Sequence, residues 1–81
     1  MKALVYVTLK KTVLDPQGAT IARALNGMGH PEIASVRQGK YFEIEIAGGA
    51  SRAEAAANLD KIAADVLSNP VIEEYRVDII D

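Results

Sequence analysis

The side chains that could do chemistry in this sequence are few and scattered. The only histidine, His30, lies between Gly29 and Pro31, and neither a cysteine nor a second histidine is present to share a metal with it. A nucleophile and base for covalent catalysis would also need partners at a spacing that we do not find. We therefore interpret His30 as a surface residue beyond the end of a helix, where the helix dipole favours positive charge.

Two acidic pairs are the next candidates. Glu43 and Glu45 fall on the same face of a predicted strand, and paired carboxylates can divide acid and base roles when their environments differ. Alternating acids on a solvated strand are far commoner, and Glu73-Glu74 is explained in the same way. The acidic pairs therefore predict exposed positions on strands.

The segment Asp15-Pro16-Gln17-Gly18 has the form of a loop that leads into a helix, where free backbone amides can bind phosphate. However, Pro16 lacks an amide donor and Asp15 repels anions. No glycine-rich phosphate-binding motif accompanies them. Ordinary helix capping by Asp15, with Pro16 at the first helical position, explains the segment.

In the cluster Arg37-Gln38-Gly39-Lys40, one basic residue lies on each side of the glycine. Such a pair could bind a carboxylate or phosphate group, or dock on an acidic surface of a partner. It could equally be an exposed bend that its charges keep soluble. Both interpretations stay open, and nothing in the sequence assembles an active site around them.

The elements that position these residues follow from the apolar pattern. Together they predict an α+β fold of ferredoxin-like character, a single domain over residues 1–81, with both helices on one face of a mostly antiparallel sheet. The predicted elements are a strand over 2–9, a helix opened by Asp15 and ended near Gly27, a strand over 33–46, a helix opened by a capping box at Ser51 and Glu54 and ended at Ser68-Asn69-Pro70, and a strand over 71–80.

The predicted strand over 33–46 is unusually long. Its even positions stay apolar across Gly39, which favours one strand bent at that glycine over a tight hairpin at Gln38-Gly39, and the hairpin remains the alternative. A strand of this length would span about 46 Å at ~3.3 Å per residue. Its end would extend past the rest of the domain and could pair with a neighbouring chain.

Self-association is expected on other grounds as well. A chain of 81 residues buries a thin core, and without cysteines it cannot be braced by disulfides. If Val5 and Val7 face the helices, then Leu4 and Tyr6 point away from them, and Tyr41 and Ile80 extend this apolar patch. We expect the sheets to associate in a dimer or a tetramer, without a preference between the two.

Composition argues against two classes of partner. The net charge of −2 and the pI of about 5.3 do not suit electrostatic binding of nucleic acid. Apolar runs are far too short for a membrane span, and the first residues read as a strand without a cleavage site. We therefore expect a cytoplasmic protein that binds neither nucleic acid nor membrane.

Three blocks of the sequence together resemble the PurS family. The resemblance runs from residue 4 to 77, and the alanine-rich second helix is less charged than is usual in the family. The blocks are Val5 to Lys10 followed by Val13 to Gly18, Val36 to Lys40 with Glu43, and Asn69 to Tyr75.

PurS is the small subunit of phosphoribosylformylglycinamidine (FGAM) synthase, where that enzyme of purine biosynthesis is split into three chains. The resemblance implies that a PurQ-type glutaminase subunit releases ammonia and that a PurL-type synthetase subunit uses ATP and magnesium to convert FGAR to FGAM. The small subunit then has no catalytic residue, cofactor or metal of its own. As an oligomer it bridges the other two chains and assists ammonia transfer.

The residues that match the family blocks are our candidates for partner binding. They are Arg37, Lys40 and Tyr41, then Asp15, Pro16 and Gln17, and then Asn69 and Pro70. The alternative function is a regulatory ferredoxin-like module that binds an amino acid or nucleotide. A small independent enzyme is the third possibility, and turnover by the purified chain alone would support it.

Overall fold

Five regular elements follow one another along the chain. The computed structural model describes residues 1–80, so Asp81, the last residue of the predicted domain, lies outside the described residues. The observed β-α-β-α-β order confirms the prediction. The elements are β1 (Lys2–Leu9), α1 (Pro16–Gly27), β2 (Gly39–Glu45), α2 (Arg52–Ile62), which continues into a wider π-type turn (Ala63–Leu67), and β3 (Glu73–Ile80).

The three strands form an antiparallel sheet with β1 at its centre, in the order β2-β1-β3. Val5 lies opposite Phe42 on one side and Val77 on the other. Alternate residues of β1 point to opposite faces, and Val5 and Val7 are 0% exposed. We call their side of the sheet the inner face, and the side of Leu4 and Tyr6 the outer face.

Helix α2 covers the inner face where β3 lies. Ala55, Leu59 and Ala63 recur at steps of four residues and are buried against the sheet. The Ser51 hydroxyl accepts a hydrogen bond of 3.1 Å from the amide of Glu54, which confirms the predicted N-terminal cap. This helix is packed as the sequence predicts.

Helix α1 behaves differently, and here the prediction that both helices pack on one face is wrong. It makes no extensive contact with any strand or with α2, and Gly18 is its only buried residue. The described chain is elongated, at 51 × 26 × 14 Å, with a radius of gyration of 16.2 Å. A compact chain of this size would have a radius of about 12 Å.

The predicted long strand is also shorter than expected. Strand β2 begins at Gly39, and residues 33–38 belong to no strand, so neither the bent strand nor the hairpin is correct. The reason is that Gly39 pairs with Thr8, one residue before β1 ends at Leu9. The residues before Gly39 therefore have no neighbouring strand among residues 1–80.

We call residues 10–38, which comprise α1 and its flanking segments, the arm, and the remaining described residues the body. The C-terminal end of α1 is closed by a turn in which His30 donates from its amide to the Leu25 carbonyl and Gly29 to that of Asn26. Gly29 adopts a φ of 99°, which a residue with a side chain rarely adopts. The chain then returns through residues 30–38 to the sheet.

Candidate docking site

Three segments that are distant in the sequence meet at one end of the sheet. There β1 ends, β2 and β3 begin, and the amide of Lys10 donates to the carbonyl of Ile72 at 2.8 Å. We call this place the junction, formed by residues 10–18, 36–40 and 69–73. The three sequence blocks that carry the family resemblance each contribute to it.

Asp15 holds two of these segments together. Its carboxylate accepts hydrogen bonds of 2.9 Å from the amides of Gly18 and Gln38. The first bond caps α1 as predicted, with Pro16 at the first helical position, and the second fixes the returning chain. These amides, with that of Gly18 contributing most, lower the pKa of Asp15 below its ordinary value of 3.8.

Arg37 adds a second connection at the base of the arm. Its guanidinium donates to the carbonyls of Leu9 and Lys10, at 2.6 and 2.9 Å. Close packing adds a third, because a Cβ atom at position 18 would collide with the carbonyl oxygen of Val36. Arg37 is therefore a structural residue of the junction, in addition to its predicted part in docking.

Asn69 shapes the third segment. Its side-chain oxygen accepts from the Val71 amide at 3.1 Å, and its backbone carbonyl accepts from the amides of Ile72 and Glu73. Its own amide donates to the Glu73 carboxylate at 2.7 Å. This turn presents Pro70 on the surface and delays the start of β3 from the predicted residue 71 to Glu73.

An open cavity of about 290 Å³ lies at the junction. Lys40 is on the inner face because it pairs with Val7, and its ammonium group lies 3.6 Å from the Glu73 carboxylate. Its side chain is 56% exposed, so it remains accessible to a partner. The lining residues are Val7, Leu9, Asp15, Gln17, Gln38, Gly39, Lys40 and Glu73.

Tyr41 does not join this cavity, because it lies on the outer face. Its ring is 5.3 Å from that of Tyr6, and the guanidinium of Arg76 lies 4.5 Å from the Tyr6 ring centre. The Tyr41 hydroxyl donates to Glu43 at 2.8 Å, and this bond raises the pKa of Tyr41. Sequence reasoning missed Arg76 and the pairing of the two tyrosines, which become visible only with the strand register.

The other polar candidates Glu43, Glu45, Glu74 and His30 are exposed, as predicted, whereas the prediction is wrong for Glu73, whose side chain is only 13% exposed beside Lys40. Glu43 also lies 3.7 Å from the ammonium group of Lys2, and His30 lies 3.5 Å from Glu32. Within residues 1–80, no three histidine, cysteine or acidic side chains are grouped as a metal would require, and no helix is long and apolar enough to cross a membrane.

Comparison with known proteins identifies the family. A profile of PurS, phosphoribosylformylglycinamidine (FGAM) synthase, matches residues 2–81. The PurS subunit of that synthase from Mycobacterium leprae is 45% identical over 76 residues, which are 94% of this chain and 91% of the relative. The PurS subunit from Bacillus subtilis is 40% identical, over 96% of this chain and 90% of the relative.

Solved structures agree with the sequence comparison. Crystalline B. subtilis PurS superimposes with a TM-score of 0.86 at 39% identity, covering 99% of this chain and 98% of that one. A chain in the structure of PurLQS from Thermotoga maritima gives a TM-score of 0.85 at 31% identity, covering 95% and 93%. This agreement over nearly the whole length, in sequence and in fold, shows that the chain belongs to the PurS family.

Proposed function

We propose that this chain is the small, non-catalytic subunit of FGAM synthase, and that it bridges a PurQ-type glutaminase and a PurL-type synthetase. The observation that carries this proposal is the full-length match to PurS, together with the similar chain found in the T. maritima PurLQS structure. The exposed polar groups of the junction suit a binding role.

The chemistry of the complex explains why a bridging subunit is useful. Ammonia released into water near neutral pH becomes ammonium, which has no free electron pair to attack with. An assembly that excludes water between the two active sites keeps ammonia reactive, and a rigid adaptor can hold those sites in line. ATP and magnesium act in the synthetase subunit, and this chain contributes no cofactor, metal or catalytic side chain.

Self-association is part of the proposal. The radius of gyration of 16.2 Å and the uncovered helix α1 are unusual for a chain that functions alone, and they favour a dimer or a tetramer. The reaction belongs to purine biosynthesis, so we place the protein in the cytoplasm, bound neither to nucleic acid nor to membrane.

Reconstitution tests the bridging role. The chain is mixed with the synthetase and glutaminase of the same organism, and FGAM formation is measured with glutamine and, separately, with ammonium chloride at high concentration. We expect omission of the chain to abolish the glutamine-dependent reaction and to leave much of the ammonium-dependent one. Equal glutamine-dependent activity with and without the chain would refute the proposal.

The docking residues need a separate test, since the junction and Tyr41 lie on different faces. We expect Lys40→Ala or Tyr41→Ala to weaken binding to at least one partner about fivefold, the scale of a contributing interface residue. Lys61→Ala, on the exposed side of α2, is the matched control. Binding by both variants at wild-type affinity would show that Lys40 and Tyr41 do not belong to the docking surface.

The remaining candidates are tested in the same assay. Gln17→Ala changes an exposed residue that lines the junction cavity, whereas Asp15, Pro16, Asn69 and Pro70 also shape the backbone. For these four, a loss of binding counts as docking only when the circular dichroism and thermal midpoint of the free variant match those of the wild type.

A further inference from the structure

No helix covers the outer face of the sheet among residues 1–80. Helix α2 packs on the inner face, and α1 makes no extensive contact with any strand. At the centre of the outer face, Tyr6 on β1 lies opposite Tyr41 on β2 and Arg76 on β3. Tyrosine and arginine are enriched among the residues that contribute most to protein interfaces, and Tyr41 is 51% exposed. The outer face is therefore a candidate surface for a partner.

The aromatic centre of this face is held in place within the chain itself. The Arg76 guanidinium stacks on the Tyr6 ring, which lies beside the ring of Tyr41, and the Tyr41 hydroxyl is fixed by its hydrogen bond to Glu43. Side chains that are already fixed lose little conformational freedom on binding. The centre of the outer face can thus contact another protein at a low entropic cost.

The formal net charge of the chain is concentrated on this face. Two basic and four acidic residues lie there, which gives the face a net charge of −2, equal to that of the whole chain. The rest of the sequence has seven residues of each sign and is neutral. The basic residues of the face are Lys2 and Arg76, and the acidic ones are Glu43, Glu45, Glu74 and Asp78.

Two of these carboxylates have no counter-charge. Lys2 and Arg76 are already paired, since their charged groups lie 3.7 and 3.5 Å from the carboxylates of acidic neighbours on the same face. Glu45 and Glu74 are exposed, and neither forms an ion pair within the described residues 1–80. A partner with a basic group at each of these two places would neutralise them.

The positions of the two carboxylates define the shape of that partner. Glu45 lies opposite Lys2 at one end of β1, and Glu74 lies opposite Thr8 at the other end. Six residues at ~3.3 Å each along the strand, and two spacings of ~4.8 Å across the sheet, separate their backbones by about 22 Å. The tyrosine pair lies between them. The complementary surface thus has two basic groups about 20 Å apart, on either side of an area that accepts an aromatic ring.

Charge also decides between the proteins that could supply this surface. A second copy of the chain, stacked through the same face, would bring together two surfaces with a net charge of −2 each, which opposes that arrangement. The synthetase of the proposed complex binds two anionic phosphate compounds, ATP and FGAR, whereas the glutaminase binds glutamine, which has no net charge. A surface with positive potential attracts such anions, so basic groups are expected on the synthetase.

We propose that the outer face docks on a basic surface of the PurL-type synthetase, with Tyr6 and Tyr41 at the centre of the contact and with Glu45 and Glu74 each bound to a lysine or arginine of that subunit. The inference rests on the proposed function and specifies which face meets which subunit. If the wild-type chain does not bind the synthetase at all, the bridging proposal fails as well. If it binds through another face, only the present inference fails.

The first experiment reverses the two unpaired charges. We expect Glu45→Lys combined with Glu74→Lys to raise the dissociation constant for the isolated synthetase at least about tenfold, because two attractions become repulsions, and to leave binding to the glutaminase unchanged. Glu54→Lys combined with Asp65→Lys is the control, since it changes the total charge equally at exposed positions of the helical layer. Equal affinity of the outer-face variant and the control variant for the synthetase would overturn the inference.

The second experiment removes the same charges without reversing them and uses salt as the readout. We expect the affinity of the wild type for the synthetase to fall as sodium chloride is raised to about 1 M, where the Debye length is only ~3 Å. Glu45→Gln combined with Glu74→Gln keeps the size of both side chains, and its affinity should fall less. The same salt dependence in variant and wild type would show that these carboxylates do not face basic groups of the synthetase.

The third experiment identifies the protein that covers the face, and the absence of natural cysteines makes the labelling specific. Thr8→Cys, on the outer face, is coupled to a benzophenone maleimide and illuminated in the presence of both partner subunits. We expect a covalent adduct with the synthetase, and only background from Lys61→Cys on the exposed side of α2. An adduct with the glutaminase alone or with a second copy alone, or no adduct in a sample that binds the synthetase, would overturn the inference.

Discussion

The body and the arm each contain a helix with regularly spaced apolar residues, but these residues are buried in the body and exposed in the arm. In the body, Leu59 on α2 is only 4% exposed, because α2 packs on β3 of the same chain. In the arm, Ile21 on α1 and Met28 directly after this helix remain 38% and 73% exposed. An amphipathic stripe therefore does not by itself bury a helix within its own chain, because the connections at the ends of the helix determine which surface the stripe can reach.

The two helices also differ in how they are attached. Tyr75 on β3 donates its hydroxyl to Asp60 on α2 at 2.8 Å, which adds a polar link to the buried contacts of that helix. Helix α1 is attached at its base through Asp15, and near its other end the Asn26 side chain donates to the Ile33 carbonyl at 3.2 Å. We expect the arm and the body to respond differently to the same substitution.

The largest difference is expected for a leucine truncation in each part. Leu59→Ala should lower the free energy of unfolding by about 2–5 kcal/mol, since it leaves a cavity in the small core. Leu14→Ala removes the same atoms from a residue that is 90% exposed in its own chain. Denaturant unfolding at two protein concentrations separates the two effects.

The concentration dependence is the sharper readout. We expect the loss from Leu59→Ala at both concentrations, and any loss from Leu14→Ala only where the chain is associated. A large, concentration-independent effect of Leu14→Ala would mean that the arm packs on its own body. The contrast between arm and body would then disappear.

A glycine-to-alanine pair tests the base of the arm at a smaller scale. Gly18→Ala should cost about 1–3 kcal/mol of arm stability, because the new methyl group collides with the Val36 carbonyl and the Asp15 carboxylate. Gly27→Ala meets no atom within 4 Å and should stabilise α1 by about 0.5–1 kcal/mol. Hydrogen exchange of the arm amides, followed by NMR, measures both.

For this account to hold, Gly18→Ala must lower the stability of the arm and Gly27→Ala must raise it. Equal protection of the arm in the Gly18→Ala variant and the wild type would show that the close contact with Val36 does not fix the arm. The body amides serve as the internal reference, since β1 should keep its protection in both variants.

Local signals predicted the body well. The alternation in β1 gave the inner face, and the capping box at Ser51 gave the start of α2, because both depend on neighbours within a few residues. The separation of Lys40 from Tyr41 was also available from the sequence, since adjacent strand residues point to opposite faces. Grouping them as one patch overlooked that rule.

The arm was less predictable for a physical reason. Its apolar residues have the spacing of a buried helix face, but that spacing carries no information on which surface the face could contact. The bond from Gln38 to Asp15 joins residues 23 positions apart, and no periodicity reports it. The start of β2 at Gly39 likewise depends on where β1 stops, which is a property of the assembled sheet.

The smallest expected effect is electrostatic and concerns Asp15 alone. Its pKa is lowered by the amides of Gly18 and Gln38, which bind the ionised carboxylate. A lowered pKa in the folded chain means that the connection is present at neutral pH. It is lost only as the pH falls through that lowered value, below 3.8.

NMR titration of the two amide protons measures this directly. We expect both resonances to shift with one common midpoint below 3.8, and the returning segment to lose exchange protection in the same range while β1 keeps its own. In Asp15→Asn, which retains an acceptor oxygen but cannot ionise, the shared transition should vanish. If only the Gly18 amide follows the midpoint, Asp15 caps α1 without restraining the returning chain, and the direction of the arm would depend on Arg37 and on the packing of Gly18.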